Sequence, residues 1–325
     1  MDKYVIKLGD IKSSEKLIFD LYIDLRKRIN AWAAITKQTA QARMGYVGQH
    51  LVSVVTGYPG GKSGARGHDI VLPDNEYAEI KTCYRVDQLG RCNNCDARIA
   101  SIERVCPDCG SHDIKRNDDS KWLIGIRHKD EFAAIAEPKS YYLVLFEFVD
   151  LTTAESIRAS IWEIDPKSRG FLYCMVDYYL NIKSNSKSGA PFNLWPYQLK
   201  FCLMRPMLIY ESTISTTDDS VITHVFPGRN NPKEYPLRPL YEYKHSQNLT
   251  INKVRELARI LKISLQSNGD SKKSILLEEI QQHINENQIK NEIIANAVAK
   301  AIYWDDIKAK INTLPHPLKT RIGNA

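Results

Sequence analysis

Apolar positions recur three to four residues apart in two stretches near the start of the chain. Leu17, Leu21, Leu25 and Ile29, with Trp32 following, predict helix over residues 14–36. Val47, Leu51 and Val55 predict a second helix over 38–56. Residues 57–67 then place five glycines and Pro59 together, which no regular element tolerates. Past them, 68–72 and 77–82 read as two strands around Pro73-Asp74-Asn75. Residues 121–126 and 141–149 read as central strands, with a short helix over 129–136 between them. Residues 157–164 and 199–210 add strand-like runs, and 211–247, rich in Pro, Thr, Asn and Asp, reads as loops. From Leu249 onward the helical period returns. Thr250 is placed to cap a helix reaching Lys262, and Asp270 or Ser271 to cap another reaching Ile284.

A chain of 325 residues can bury a sizeable core, and 43% hydrophobic with 26% charged residues is ordinary for a soluble globular protein. No apolar run reaches the roughly 18 residues of a membrane span. The opening Met1-Asp2-Lys3-Tyr4 lacks a signal-peptide core, so a cytoplasmic protein without a membrane partner is expected. A net charge of +7 is compatible with a polyanionic partner without requiring one. The cysteines say more. Four of the seven form two close pairs, while Cys83, Cys174 and Cys202 are scattered and read as buried, inert thiols.

If Pro73-Asp74-Asn75 joins a hairpin, Leu72 pairs with Glu76 and Asp69 falls opposite Glu79. Strand alternation puts Glu79 and Lys81 on one face with Asp69, and turns Ile70, Ala78 and Ile80 toward a core. Two adjacent carboxylates repel unless a cation intervenes. A hard ion such as Mg²⁺ takes oxygen ligands and keeps several waters, and such a site can activate water against a phosphodiester. A lysine beside it can orient or deprotonate that water, or neutralise developing charge. The competing reading is a half-exposed hairpin whose Asp, Glu and Lys are merely solvated, because this spacing also arises by chance.

Asp69 with Glu79-Ile80-Lys81 resembles the PD-(D/E)XK nuclease superfamily, over roughly residues 38–150. The resemblance implies an α/β fold with a mixed central sheet flanked by helices, to which the cysteine spacing adds a zinc-ribbon insert at about 88–115 and the apolar period a helical C-terminal region. It implies catalytic roles for Asp69, Glu79 and Lys81, with Mg²⁺ held by Asp69 and Glu79. In the superfamily the preceding helix often carries a further acid. The matching position in Met44–Leu51 is Gln49, whose amide oxygen could serve a metal or its water. The proline of the family label is also missing, since His68 precedes Asp69. Among restriction endonucleases, Gly64–Asp69, Glu79–Lys81 and the cysteine pairs followed by Lys121–Ile124 look most like the MamI type.

Cys92-Asn93-Asn94-Cys95 and Cys106-Pro107-Asp108-Cys109 form C-x2-C-x10-C-x2-C. Two such knuckles suit one tetrahedral Zn²⁺, and four thiolates leave no open position, so this zinc reads as structural. His112 is a spare ligand. Residues 85–121 hold seven basic and seven acidic residues, a balance that does not make an obvious phosphate clamp. The ribbon is therefore left between stapling or dimer contact and direct DNA contact.

Gly60-Gly61-Lys62-Ser63 has part of the composition of a phosphate-binding loop. Thr56 occupies the position of its first glycine, and the helix precedes rather than follows it. Lys62 and Arg66 fit a loop near DNA better. Residues 249–285 resemble a SAP-like helix–loop–helix motif burying Val254, Leu257, Leu261, Ile275 and Ile280, with Lys272 and Lys273 at a helix N-terminus facing phosphate. An ordinary helical hairpin fits the same pattern. From 241 to 325 there are 13 basic and 9 acidic residues, a mild bias toward an anionic partner. His50, His68 and His128 read as structural or surface residues, with His68 on the face opposite Asp69.

Together these features predict a nuclease domain over 1–245 and a helical domain over 246–325. The expected activity is Mg²⁺-dependent hydrolysis of double-stranded DNA by a homodimeric type II restriction enzyme. The alternatives are a repair or junction-resolving nuclease, or a non-catalytic zinc-ribbon and SAP-like DNA-binding protein.

Overall fold

The computed structural model describes residues 5–36, 38, 45–61, 68–126, 131, 134–183, 191–196, 199–229, 233–234, 250–267 and 271–302. The chain forms two compact units interleaved in sequence. The first comprises Met1–Trp122, Pro138–Glu163 and Met207–Lys233; the second comprises Leu123–Glu137, Ile164–Pro206 and Glu234–Ala325. The boundary expected at 245/246 lies outside the described residues, as do Lys62, Arg66, His128 and Asp270.

The first unit opens with α1 (Ile11–Ile18), capped by the Asp10 carboxylate accepting from Ser13 N–H at 2.8 Å. A π-helical segment, Phe19–Asp24, leads into α2 (Leu25–Thr36). The buried stripe is Ser14, Ile18, Tyr22 and Arg26, one residue on from the predicted Leu17, Leu21, Leu25 and Ile29. A wider π turn keeps side chains four apart stacked on one face. Trp32, expected at the end of the inward stripe, is 69% exposed. Next comes α3 (Gly45–Thr56), which buries Val47, Leu51 and Val55 as its four-residue spacing requires.

β1 (Ile70–Val71) and β2 (Tyr77–Tyr84) pair antiparallel, with Ile70 opposite Ala78 and Val71 opposite Tyr77. Leu72 N–H donates to the Glu76 carbonyl at 2.9 Å, as the hairpin count requires. Asp74 and Asn75 turn the chain at φ 60° and 59°, a region their short polar side chains tolerate. β3 (Leu89–Cys92), β4 (Arg98–Ala100) and β5 (Ile114–Lys115) form a separate three-stranded sheet with β3 central.

β6 (Trp122–Ile124) does not join the main sheet as expected. It pairs with β9 (Phe192–Leu194). Its apolar character reflects burial of Trp122 and Ile124, the Trp122 indole donating to the Val144 carbonyl at 2.8 Å. β7 (Ser140–Phe148) is buried throughout and lies parallel to β2. Beside it runs β8 (Ser156–Ile164), followed by β10 (Met207–Ser215) and β11 (Val221–Val225), with β12 (Lys233–Glu234) also paired to β10. The mixed sheet runs β1-β2-β7-β8-β10-β11 and is compatible with a restriction-endonuclease-like core.

Two readings of residues 199–247 are corrected here. Residues 199–203 are helical, because Phe201 and Leu203 lie within a short turn that Arg205 ends at φ 49°. Much of the segment read as loops is strand. Along β10, Tyr210, Ser212 and Ile214 are buried in alternation after a register shift that follows Leu208, and β-branched Thr213 suits the outer face.

In the second unit, α4 (Arg169–Asp177) and α5 (Leu199–Leu203) precede α6 (Ile251–Ile260), α7 (Lys273–Glu286) and α8 (Asn291–Ile302). Thr250 caps α6, its hydroxyl accepting from Lys253 N–H at 3.4 Å. The N-cap of α7 is Lys272, which makes no side-chain cap, rather than Ser271. That phase buries Leu276, Leu277 and Ile280 and leaves Ile275 exposed, against expectation.

Candidate active site and a four-cysteine cluster

The first cluster forms where α3 meets the β1–β2 hairpin. Gly48 permits the approach, since a Cβ there would collide with the Thr82 side chain of β2. The close contact places Gln49, the next residue, over the start of β1. Gln49 Nε2 donates to Asp69 Oδ1 at 2.8 Å, and the Ile80 backbone N–H donates to Asp69 Oδ2 at 2.8 Å. The Asp69 carboxylate is thereby fixed by one helix and one strand. Glu79 and Lys81 share a face of β2 and form an ion pair, both half-buried. All four predicted residues, Gln49, Asp69, Glu79 and Lys81, therefore come together.

Burial pushes the Asp69 carboxyl above the ordinary aspartate range, against the Ile80 N–H, and the charge of Glu79 adds to the rise. Lys81 and Gln49 offset part of it.

The glycine-rich approach has a structural reason. Gly60 bridges Ile70, and Val71 N–H donates to the Pro59 carbonyl at 3.1 Å, so 59–61 lie along β1 beside the acids. Any side chain at Gly61 would run into the His68 carbonyl. His68 itself lies before β1, where strand alternation has not begun. Its ring stacks on Tyr77 with centroids 3.6 Å apart, and Tyr77 shares the face of Glu79, so the opposite-face expectation is corrected.

Tyr141 escaped the sequence reading. It is the β7 partner of Glu79 and is 3% exposed. Burial raises its phenol above the usual tyrosine range, with the charges of Glu79 and Asp69 contributing. Nothing in a strand buried from end to end marks one tyrosine as special; only the parallel register does.

The second cluster is Cys92, Cys95, Cys106 and Cys109, whose sulfurs all lie within 4.8 Å of one another and could hold a metal ion. The Cys92–Cys109 and Cys95–Cys106 sulfur separations are 3.6 Å. Disulfides would require about 2.05 Å. A tetrahedron with Zn–S bonds of about 2.3 Å has edges of about 3.8 Å, so the donors fit zinc. Cys92 and Cys106 are buried with Ile99 and Ile114 in a small core of their own. The Asn94 amide, 3.5 Å from Cys109 Sγ, and the Ser111 backbone bring the Cys109 thiol down to about 6.

Arg26 of α2 ties the N-terminal helices to the segments flanking this module. Its guanidinium, 5.8 Å from the Tyr22 ring centroid, is ion-paired with buried Asp87 and lies 3.4 Å from Glu103. Asn30 also donates to Glu103, at 2.8 Å.

A mixed sheet flanked by helices is compatible with the class of restriction-endonuclease-like cores. The MamI restriction endonuclease family matches residues 31–241, and the chain belongs to that family. Type II restriction enzyme MamI of Microbacterium ammoniaphilum is 26% identical over 192 residues, 57% of this chain and 55% of that protein. The chain thus spans about half the length of this curated relative. No solved structure matches. No described helix is long and apolar enough to cross a membrane.

Proposed function

We propose that the chain is a Mg²⁺-dependent endonuclease of the type II restriction class, hydrolysing phosphodiester bonds in double-stranded DNA. The observation that carries this reading is the convergence of Asp69, Glu79 and Lys81 on one strand face, with Asp69 fixed by Gln49 and the Ile80 N–H. The family to which the chain belongs and its MamI relative support it.

Asp69 and Glu79 are the residues that would hold Mg²⁺. Two carboxylates, with water and phosphate completing the shell, suit this ion. Bound there, it would supply charge neutralisation at the scissile phosphate and acidify an attacking water. Lys81 exchanges its partner Glu79 for that water or the phosphate, orienting the one or stabilising the other. Gln49 donates to Asp69, so its role is to aim the carboxylate. Cys92, Cys95, Cys106 and Cys109 would hold a structural Zn²⁺ in a ribbon inserted in the nuclease domain. Lys62, Arg66, Lys272 and Lys273 are proposed DNA contacts, the last two in a SAP-like pair of helices. A homodimer follows from matching a palindromic site, in the cytoplasm where such DNA is met.

The test is incubation of purified full-length protein with plasmid and Mg²⁺, followed by sequencing of the ends. Discrete recurring ends are expected, and Lys81→Ala should retain DNA binding while losing on the order of 10²–10³-fold in cleavage. Intact plasmid with every divalent metal would overturn the reading; cutting only at branched junctions would move it to a resolving enzyme.

A further inference from the structure

The wall of the acid pair contains a residue to which neither the motif nor the family match assigns a role. β2 and β7 are parallel, with Glu79 directly beside Tyr141, Ile80 beside Tyr142 and Lys81 beside Leu143. Register neighbours project from the same face, so Tyr141 lies with Glu79, and Tyr142 lies on the opposite face. Tyr142 interacts there with Glu163, which also accepts from Ser140 Oγ at 2.7 Å. The charges of Glu79 and Asp69 both act on the Tyr141 phenol, as the shared face of the register pair requires. Its burial fixes the ring in the sheet.

Glu79 faces a conflict that Asp69 does not. The Asp69 carboxylate is held by two donors, whereas Glu79 is joined to Lys81, the group its own chemistry needs released. A buried tyrosine in register with Glu79, on a different strand from Lys81, carries a hydroxyl that can hold the carboxylate in place when Lys81 turns to substrate. We propose that Tyr141 is a positioning residue for the acid pair, its hydroxyl orienting Glu79 toward a divalent cation shared with Asp69. The inference rests on the nuclease reading and adds to it the residue that sets metal affinity from outside the ligand shell. Such outer partners typically change metal affinity about 10–100-fold when removed.

The experiment compares wild type with Tyr141→Phe, Tyr142→Phe and Asp69→Asn, all full-length and zinc-loaded. Mn²⁺ uptake is followed by loss of the free-ion electron paramagnetic resonance signal, alongside Mg²⁺-dependent cleavage. Tyr141→Phe keeps the ring and should unfold at a temperature close to wild type. It should raise the half-saturating Mn²⁺ and Mg²⁺ concentrations about 10-fold or more, while cleavage at saturating metal recovers most of the wild-type rate. Tyr142→Phe should leave both concentrations unchanged. Unchanged metal affinity in Tyr141→Phe, in a wild-type background that binds and cuts, overturns the role of Tyr141 alone. The same affinity loss in Tyr142→Phe also overturns it, by reducing the effect to sheet packing. If wild type shows no Asp69-dependent Mn²⁺ uptake and no cleavage, the nuclease reading falls and this inference falls with it.

Discussion

Cys92, Cys95, Cys106 and Cys109 bring four donors to one point, whereas Asp69 and Glu79 bring two, which in the proposed function leaves other positions to water or substrate. The thiols sit at the end of β3 and in the connections of a small three-stranded sheet whose core is little more than two of the cysteines, Ile99 and Ile114. The acids sit on a hairpin of the large sheet, backed by α3 and its core. A full donor set on a weak scaffold belongs to a metal that holds the chain together. A partial set on a strong scaffold belongs to a metal that works on something else. The two clusters should therefore respond with opposite sign when their donors are removed.

The largest effect is expected at the thiols. Cys92→Ser should reduce bound zinc from about one per chain to near none by elemental analysis. It should also lower stability by several kcal/mol, because structural zinc affinity is folding free energy. Chelation should reproduce that loss in wild type. Next comes the tie from α2 to the segments flanking the cysteine module. Arg26→Ala removes the guanidinium beside buried Asp87 and should cost about 3–5 kcal/mol in denaturant unfolding.

At the acids the sign reverses. The folded Asp69 pKa is raised, so its contribution to stability is fully present below the unfolded aspartate value of about 3.9 and is lost as pH rises through the folded value. At neutral pH the ionised carboxyl is thus a burden on the metal-free fold. Asp69→Asn should unfold at the same or a slightly higher temperature at pH 7, the difference closing under acid, while cleavage falls about 10³-fold or more. A marked loss of stability would mean that the acid pair is structural. The smallest effect is expected in the second unit, where Lys272→Ala with Lys273→Ala should weaken DNA binding a few-fold and flatten its salt dependence by at most about 2 in log–log slope.

How much of this could be read from the chain depends on how local the determining contact is. Asp69 opposite Glu79 follows from a three-residue connection and period-two alternation, both local. The four cysteines carry their geometry in their spacing. Tyr141 could not be found this way, because its importance comes from a parallel register set 62 positions away in sequence. The deepest stripe of the first helices falls on Ile18 and Tyr22, with the predicted Leu17 and Leu21 packed partly buried against the same core, because a four-residue period does not say which of two adjacent stripes turns furthest inward. The end of β10 past Tyr210 and all of β11 were hidden because Ser212, Thr213, Ser215 and Thr223 lie in a stretch that composition alone assigns to loops.

The most direct test of the central claim is an anomalous difference map from crystals of the protein soaked in Mn²⁺. The account predicts a peak shared by the Asp69 and Glu79 carboxylates, with oxygen distances of about 2.1 Å, and its absence from Asp69→Asn crystals. Mn²⁺ bound elsewhere, with the Glu79–Lys81 pair undisturbed, would contradict it.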